Sequence, residues 1–322
     1  MRKDFVVARD RGTTFAGLPS PLVAIGNFDG VHRGHRAVID AAIKRARAAG
    51  HPSAALTFEP HPRSYFRPDE PSFRLTDETA KLRLLAATGL DGAIVLTFDA
   101  ALANLSAEDF VARILVERLA ASGVAVGFNF HFGKNRAGSP EFLAAEGARR
   151  GFPVDIVPRL EDGGRRISSG AIRAALAAGR VTEAADPLGY PWFVSGTVIH
   201  GESRGRGLGF PTANLRLDPA CGLRHGIYAV RVGIGDERHD AVASFGRRPT
   251  FDDGAPLLEV FLFDFDGDLY GTRIDVAFIA WIRDELRFDS VDALVRQMDE
   301  DSRLVRAALA GAKEAFPPLG KL

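Results

Sequence analysis

Ala24-Ile25-Gly26-Asn27-Phe28-Asp29-Gly30-Val31-His32-Arg33-Gly34-His35-Arg36 is the stretch around which the first half of this chain is organised. The apolar run Pro21 to Ile25 leads into it, Gly26 and Gly30 punctuate a turn, and helical spacing begins at Arg33. His32 and His35 therefore fall at a strand-to-helix junction. The first amides of a helix have no intrahelical acceptor and carry the positive end of the dipole, so such a junction suits a phosphate. Gly34 omits a side chain where a phosphate-bearing ligand has to come close. Taken alone, two histidines three residues apart after a Gly-rich turn are also what an ordinary turn gives by chance.

Outward from that turn, strand and helix alternate as far as about Ala185. Val23–Ile25, Ala54–Phe58, Ala93–Phe98, Val124–Gly127 and Val154–Val157 are short apolar runs, and those between helices have the continuous character of strands buried on both faces. Between them lie helical patterns. Val38, Ile39, Ala42, Ile43 and Ala46 form one stripe stopped by Gly50, and Leu82, Leu85 and Ala86 form another stopped by Gly89. Ser106 and Ser139-Pro140 are helix starts, and a short helix is expected near Ser169–Ala178. This alternation predicts an α/β, Rossmann-like domain with a parallel sheet and ligands at the carboxyl ends of its strands.

Composition sets the bounds. A chain of 322 residues exceeds one ordinary compact domain, and 46% hydrophobic with 25% charged residues is a globular composition. Lys and Arg total 41 against 41 Asp and Glu, so net charge gives no support to a nucleic-acid or anionic-membrane partner. A single cysteine, Cys221, excludes an internal disulfide and fits a reducing cytoplasm. Met1-Arg2-Lys3-Asp4-Phe5 lacks the apolar core of a signal peptide, and no run approaches the ~18 apolar residues of a membrane span. The expectation is a cytoplasmic protein without nucleic-acid or membrane partner.

Three further loops at strand ends carry phosphate-compatible groups. Glu59-Pro60-His61-Pro62-Arg63 stiffens a bend that presents His61, as a surface turn also would. Gly127-Phe128-Asn129-Phe130-His131-Phe132-Gly133-Lys134-Asn135-Arg136 suits a phosphate and a stacked ring, though its three phenylalanines also fit a strand face. Arg165-Arg166-Ile167-Ser168-Ser169-Gly170-Ala171-Ile172-Arg173 places hydroxyls beside arginines at a helix start, a polyphosphate grip of which N-capping explains only one serine.

Taken with those loops, the histidine turn resembles the signature of the nucleotidyltransferase superfamily. The four motifs in order look like the FMN adenylyltransferase module of bacterial bifunctional FAD synthetases. The resemblance implies that His32 and His35 stabilise charge on the attacked phosphate, without a covalent intermediate. It also implies nucleotide or flavin contacts from Gly26, Phe28, Asp29, Gly34, His61, Asn129, Arg166, Ser168, Ser169 and Arg173. Gly170 departs from the pattern: Thr is usual there, so one hydroxyl contact is missing.

The pattern changes after Gly179–Pro191, a stretch of Gly, Pro and small residues that reads as a linker. The expected domains are 1–185 and 186–322. From Trp192 the chain is largely strands: Phe193–His200, Gly226–Val232, Ala241–Phe245, Leu257–Phe263 and Ile274–Ala280. Gly235-Asp236 and Asp266-Gly267 are hairpin-type turn signals, and a helix near Val291–Leu309 closes the domain. A small antiparallel β-barrel follows.

Its outstanding stretch is Gly201-Glu202-Ser203-Arg204-Gly205-Arg206-Gly207-Leu208-Gly209-Phe210-Pro211-Thr212-Ala213-Asn214. The glycines let a backbone wrap a polyphosphate, and Thr212 and Asn214 offer hard oxygens suited to Mg2+; no Gly-Lys-Ser/Thr of a Walker A loop is present. The stretch resembles the flavokinase signature. Matches continue through His225–Ala229, Gly246–Phe251 and Leu258–Phe265, while Ser244 stands where Asn is common. The resemblance implies a riboflavin kinase type of barrel with nucleotide or flavin contacts from Gly201, Arg206, Gly207, Gly209, Phe210 and Pro211, and Mg2+ on Thr212 and Asn214. It makes Glu259, the one carboxylate of Pro256–Phe263, the base. Riboflavin and ATP then give FMN, and FMN and ATP give FAD. Two other functions stay open at this level. A nucleotidyltransferase for a phosphopantetheine- or nicotinate-type acceptor leaves the second domain unexplained, and a non-catalytic flavin-binding protein has no need of His32, His35 or Glu259.

Overall fold

A computed structural model describes residues 4–10, 15, 17–162, 165–200, 212–247, 256–312 and 315–322. Within it the chain divides into two compact units. The first comprises Met1–Ser72, Asp77–Ser168 and Pro318–Leu322; the second comprises Phe73–Thr76 and Ser169–Pro317.

The first unit is built on β1 (Val6–Arg9), β2 (Leu22–Ile25), β3 (Ser53–Glu59), β4 (Gly92–Thr97), β5 (Gly123–Gly127) and β6 (Val154–Val157). They form one sheet in the order β1-β4-β3-β2-β5-β6, every pair parallel. All four residues of β2 are buried, as a central strand covered on both faces requires. β3 and β4 step away on one side of β2, and the chain then returns to place β5 on the other. The strand order thus reverses at β2, the topological switch point where ligands of open α/β sheets bind. Helix α1 (Arg33–Ala49) follows at once, burying the expected Val38, Ile39, Ala42, Ile43 and Ala46 and ending on Gly50 at φ 72°, whose N–H reaches Ala46 O and Arg47 O.

α2 (Pro62–Phe66) and α3 (Glu78–Ala86) lie between β3 and β4. α4 (Ala100–Ala103) and α5 (Ala107–Asp109) follow β4, and the latter runs into a π-helical stretch, Phe110–Arg118, that buries Phe110, Val111, Ile114 and Leu115. α6 (Pro140–Arg150) precedes β6, and the two-residue strands β7 (Glu161–Asp162) and β8 (Arg165–Arg166) pair antiparallel. The edge strand β1 has no counterpart in the sequence analysis.

The second unit opens with α7 (Ser169–Ala177) and α8 (Val181–Leu188). The expected linker is therefore in large part a helix. Val181, Ala184 and Leu188 are buried at helical spacing, and Gly189, at φ 77°, ends it. Burial of that stripe outweighs Pro187, which costs one hydrogen bond in the final turn.

The strands β9 (Phe193–Thr197), β10 (Ala213–Arg216), β11 (Gly226–Ile234), β12 (Glu237–Arg247), β13 (Pro256–Leu262) and β14 (Arg273–Arg283) form an antiparallel sheet in the order β10-β13-β12-β11-β14-β9. One bridge, Ile199 to Asn214, links its two edges into a nearly closed barrel. Gly235-Asp236 is the expected hairpin turn between β11 and β12. Asp266-Gly267 is not a hairpin turn, because β13 pairs with β12 and β10 while β14 lies beyond β11. Helix α9 (Val291–Gly311) covers the barrel, tied by Asp301 to Arg283 at 2.8 and 2.5 Å. Trp192 is fully buried; its indole N–H donates to Leu75 O at 2.8 Å and Phe73 meets its ring edge-on, so residues 73–76 are part of this core.

Candidate active sites

His32 is the N-cap of α1, with extended φ/ψ of −66°/170°, and its Nδ1 accepts the His35 backbone N–H at 3.2 Å. An accepting Nδ1 leaves the ring proton of neutral His32 on Nε2. The two imidazoles stack with centroids 3.6 Å apart and planes 11° apart, and Phe28 meets His35 edge-on at 5.4 Å. Burial first, then the charges of His32 and Lys81, hold His35 well below the ordinary imidazole range, so it is neutral near pH 7. Its Nδ1 is buried without a hydrogen-bond partner among the described residues.

Phe28 at φ 50° and Val31 at φ 35° are in the left-handed region, costly for bulky side chains, and Asp29 between them is buried. A Cβ on Gly26 comes within 3.2 Å of the Phe28 ring; one on Gly34 comes within 3.2 Å of Cε1 and Nδ1 of His32. The His32 ring packs against one side of Gly34.

Beneath this turn lies a residue that the sequence analysis passed over. Lys81 of α3 is 1% exposed, and its Nζ donates to Glu59 Oε1 at 2.7 Å and to Thr57 Oγ1 at 3.2 Å. Thr57 Oγ1 in turn donates to Asn27 O at 3.3 Å. The available signal was a lysine inside an apolar helical run, Ala80 to Leu85, paired with the one acid at the end of β3.

The other predicted groups lie on separate loops. His61 caps α2, accepting the Arg63 N–H at 3.1 Å, so the turn explanation accounts for part of its chemistry. Asn129 is exposed and its carbonyl accepts from His131 Nδ1 at 3.1 Å. Of the three phenylalanines of that loop, Phe132 is buried in the core with Phe130 stacked on it, and Phe128 is exposed beneath the Arg159 guanidinium. The backbone of Arg166 pairs with Glu161, and its side chain lies outside the described residues. Ile167 reaches towards Gly34, with its Cγ2 3.7 Å from the position of an added Cβ. Ser168 belongs to the first unit; Ser169 and Arg173 belong to the second, where Arg173 Nε donates to Phe73 O at 2.5 Å.

In the barrel, Asn214 on β10 stands directly opposite Glu259 on β13, and Glu259 stands opposite Ser244 on β12. Directly opposed residues share a face, so the three form a polar row across three strands. Neighbouring Ala213, Leu215, Leu258 and Val260 are buried on the alternate face. Asn214 is buried; its Nδ2 donates to Thr212 O at 3.3 Å, and its Oδ1 has no hydrogen-bond partner among the described residues. A hard, buried, orphaned oxygen two residues from the Thr212 hydroxyl and opposite a carboxylate fits a divalent cation. Gly201, Arg206, Gly207, Gly209, Phe210 and Pro211 lie outside the described residues.

A parallel sheet with a helix start at its switch point, in one chain with a barrel carrying the Asn214–Glu259–Ser244 row, is the frame of a two-site transferase. Family models described as FAD synthetase and riboflavin kinase match residues 18–171 and 188–309. The chain belongs to the family of bifunctional riboflavin kinase/FMN adenylyltransferases. Relatives of that name include those of Pseudomonas fluorescens, 42% identical over 90% of this chain and 93% of the relative, and of Escherichia coli K12, 40% identical over 91% and 94%. That of Bacillus subtilis is 34% identical over 88% and 90%. A solved structure named a macrolide-efflux protein, from Streptococcus pneumoniae, is 35% identical with a TM-score of 0.83, covering 94% of this chain and 99% of that one. Among the described residues no helix is long and apolar enough to cross a membrane.

Proposed function

We infer that this chain makes FAD from riboflavin in two ATP-dependent steps, phosphorylation to FMN with release of ADP and adenylylation of FMN with release of pyrophosphate. The observation that carries this is the presence in one chain of both the stacked His32–His35 pair and the Asn214–Glu259–Ser244 row, each inside its own matching family region.

In adenylyl transfer an FMN phosphate oxygen attacks the α-phosphorus of ATP, and the bond to the β-phosphate oxygen breaks. The His32 Nε2–H, the His35 ring and the positive end of the α1 dipole are set for the negative charge that grows there. Neutral His35 is poised to take up a proton as a polyphosphate enters, because an anion beside it reverses the effect of burial. Gly26, Phe28, Asp29, Gly34, His61, Asn129, Arg166, Ser168, Ser169 and Arg173 are assigned to nucleotide or flavin contacts on the same resemblance. In the kinase step Glu259 removes the proton of the ribityl 5′-hydroxyl as its oxygen attacks the γ-phosphorus and ADP leaves. Thr212 Oγ1 and Asn214 Oδ1 would hold Mg2+, which supplies charge neutralisation on the transferred phosphoryl group.

Residues 1–185 are assigned to adenylylation and 186–322 to phosphorylation, in a cytoplasmic enzyme whose partners are ATP, riboflavin and FMN and not nucleic acid or membrane. The test is chromatography of riboflavin, ATP and Mg2+ with the protein, in which FMN and FAD both form. His32→Ala and His35→Ala are expected to abolish FAD while sparing FMN. Loss of both products from folded variants overturns the assignment of separate sites.

A further inference from the structure

A buried ion pair is an expensive way to hold a fold. Apolar side chains of similar volume do as well or better, whereas removing one partner leaves an uncompensated charge. Lys81 and Glu59 nonetheless form such a pair, with side chains 1% and 12% exposed. Their position is informative. Glu59 and Thr57 lie at the carboxyl end of β3, next to β2, and Thr57 bonds the carbonyl of Asn27 inside the histidine turn. One cation thereby connects α3, the end of β3 and the turn. α3 itself is fastened at both ends, by Asp77 Oδ1 accepting the Ala80 N–H at 2.6 Å and by the Gly320 N–H donating to Arg83 O at 2.9 Å. Lys81 is therefore delivered on a fixed support rather than on a loop. The turn it reaches is the strained one, with Phe28 and Val31 in the left-handed region, and such a backbone persists only where its surroundings over-determine it.

We propose that Lys81 is a positioning residue for adenylyl transfer, which with Glu59 and Thr57 fixes the turn presenting His32 and His35 to the nucleotide. This rests on the assignment of adenylyl transfer to the first unit. The charge of Lys81 also reaches His35, where it favours the neutral ring.

The test uses the full-length protein and follows both products. Lys81→Met is expected to lower kcat for FAD formation by about tenfold or more, with KM for ATP and FMN changed by less than about threefold, because misplacement of catalytic groups weakens the chemical step before it weakens binding. FMN formation from riboflavin stays at its wild-type rate. Lys81→Met also leaves Glu59 buried without its cation and so melts lower. Adding Glu59→Gln removes the carboxylate charge that faced Lys81 and is expected to raise the melting temperature back towards wild type without restoring FAD formation. If the double variant regains both, Lys81 is purely structural and the proposal fails. Thr57→Val supplies a second test that removes no charge: it is expected to lower kcat for FAD in a protein that stays folded at the assay temperature, and full activity in it overturns the link to the turn. A wild-type protein that makes FMN but no FAD refutes the site assignment itself, which is distinct from wild-type FAD synthesis that is indifferent to Lys81.

Discussion

Replacing Gly34 by Ala tests whether the glycine seats the His32 ring. The new Cβ lies 3.2 Å from Cε1 and Nδ1, so the imidazole must retreat by a few tenths of an ångström. The cap bond from the His35 N–H, already 3.2 Å long, then weakens or breaks, which costs about 0.5–2 kcal/mol. Gly34 has no positive φ and lies within α1, so Ala also removes the entropic penalty of a helical glycine, a gain of roughly 0.5–1 kcal/mol. These two effects nearly offset each other, and the melting temperature is expected to move little. Catalysis has no such compensation if, as proposed, the displaced ring is a donor to the reacting phosphate; a loss of about tenfold or more in FAD formation is then expected. Thermal melts and separate initial rates for the two products measure both halves of the prediction. Unchanged FAD formation with a raised melting temperature would refute the seating role.

His35 predicts an acid sensitivity. Its folded-state pKa lies well below the unfolded value of about 6.5, so as pH falls from there towards the folded value the unfolded chain takes up a proton that the folded one refuses. Stability drops over that window, and His35→Gln should flatten this part of the slope in melts between pH 7.5 and 5; an unaltered slope rules His35 out as the source. Glu259→Gln and Asn214→Ala are each expected to remove FMN formation while FAD formation from added FMN continues, read by the same chromatography. A fragment of residues 186–322 lacks α7 and the opening turn of α8, and with them the buried Ile172, Ala175, Leu176, Val181 and Ala184. It should melt below a fragment beginning at Ser169, and equal melting would show that these contacts contribute nothing.

The central strands and α1 were legible because their signals are local: four buried apolar residues, a 3.6-residue stripe and a glycine stop each fall within one window. α8 was misread for the opposite reason. Its Gly and Pro are local breakers, while the Val181-Ala184-Leu188 stripe that decides the matter gains its energy only from packing. β1 is four residues long and is defined by pairing with β4 more than eighty positions away. At the sites, the histidine pair and the Asn214–Glu259 couple were visible as residue types, but that Asn214, Glu259 and Ser244 form a row follows from strand register alone. Lys81 escaped because a lysine is ordinarily solvated, and its burial beside Glu59 and Thr57 shows only in three dimensions.

Asn214 has a double duty. Its backbone carbonyl accepts the Ile199 N–H at 2.9 Å in the bridge that brings β9 and β10 together, and its side chain is the proposed cation ligand. The barrel is thus stitched shut at the same residue with which it is proposed to hold its metal. A seam carried by so few bonds opens before the β11–β12 wall does, so breathing of the barrel and disassembly of the kinase site are one event. Exchange of the Ile199 amide should accordingly slow when nucleotide and Mg2+ are bound, with the seam acting as the enzyme's own gauge of occupancy.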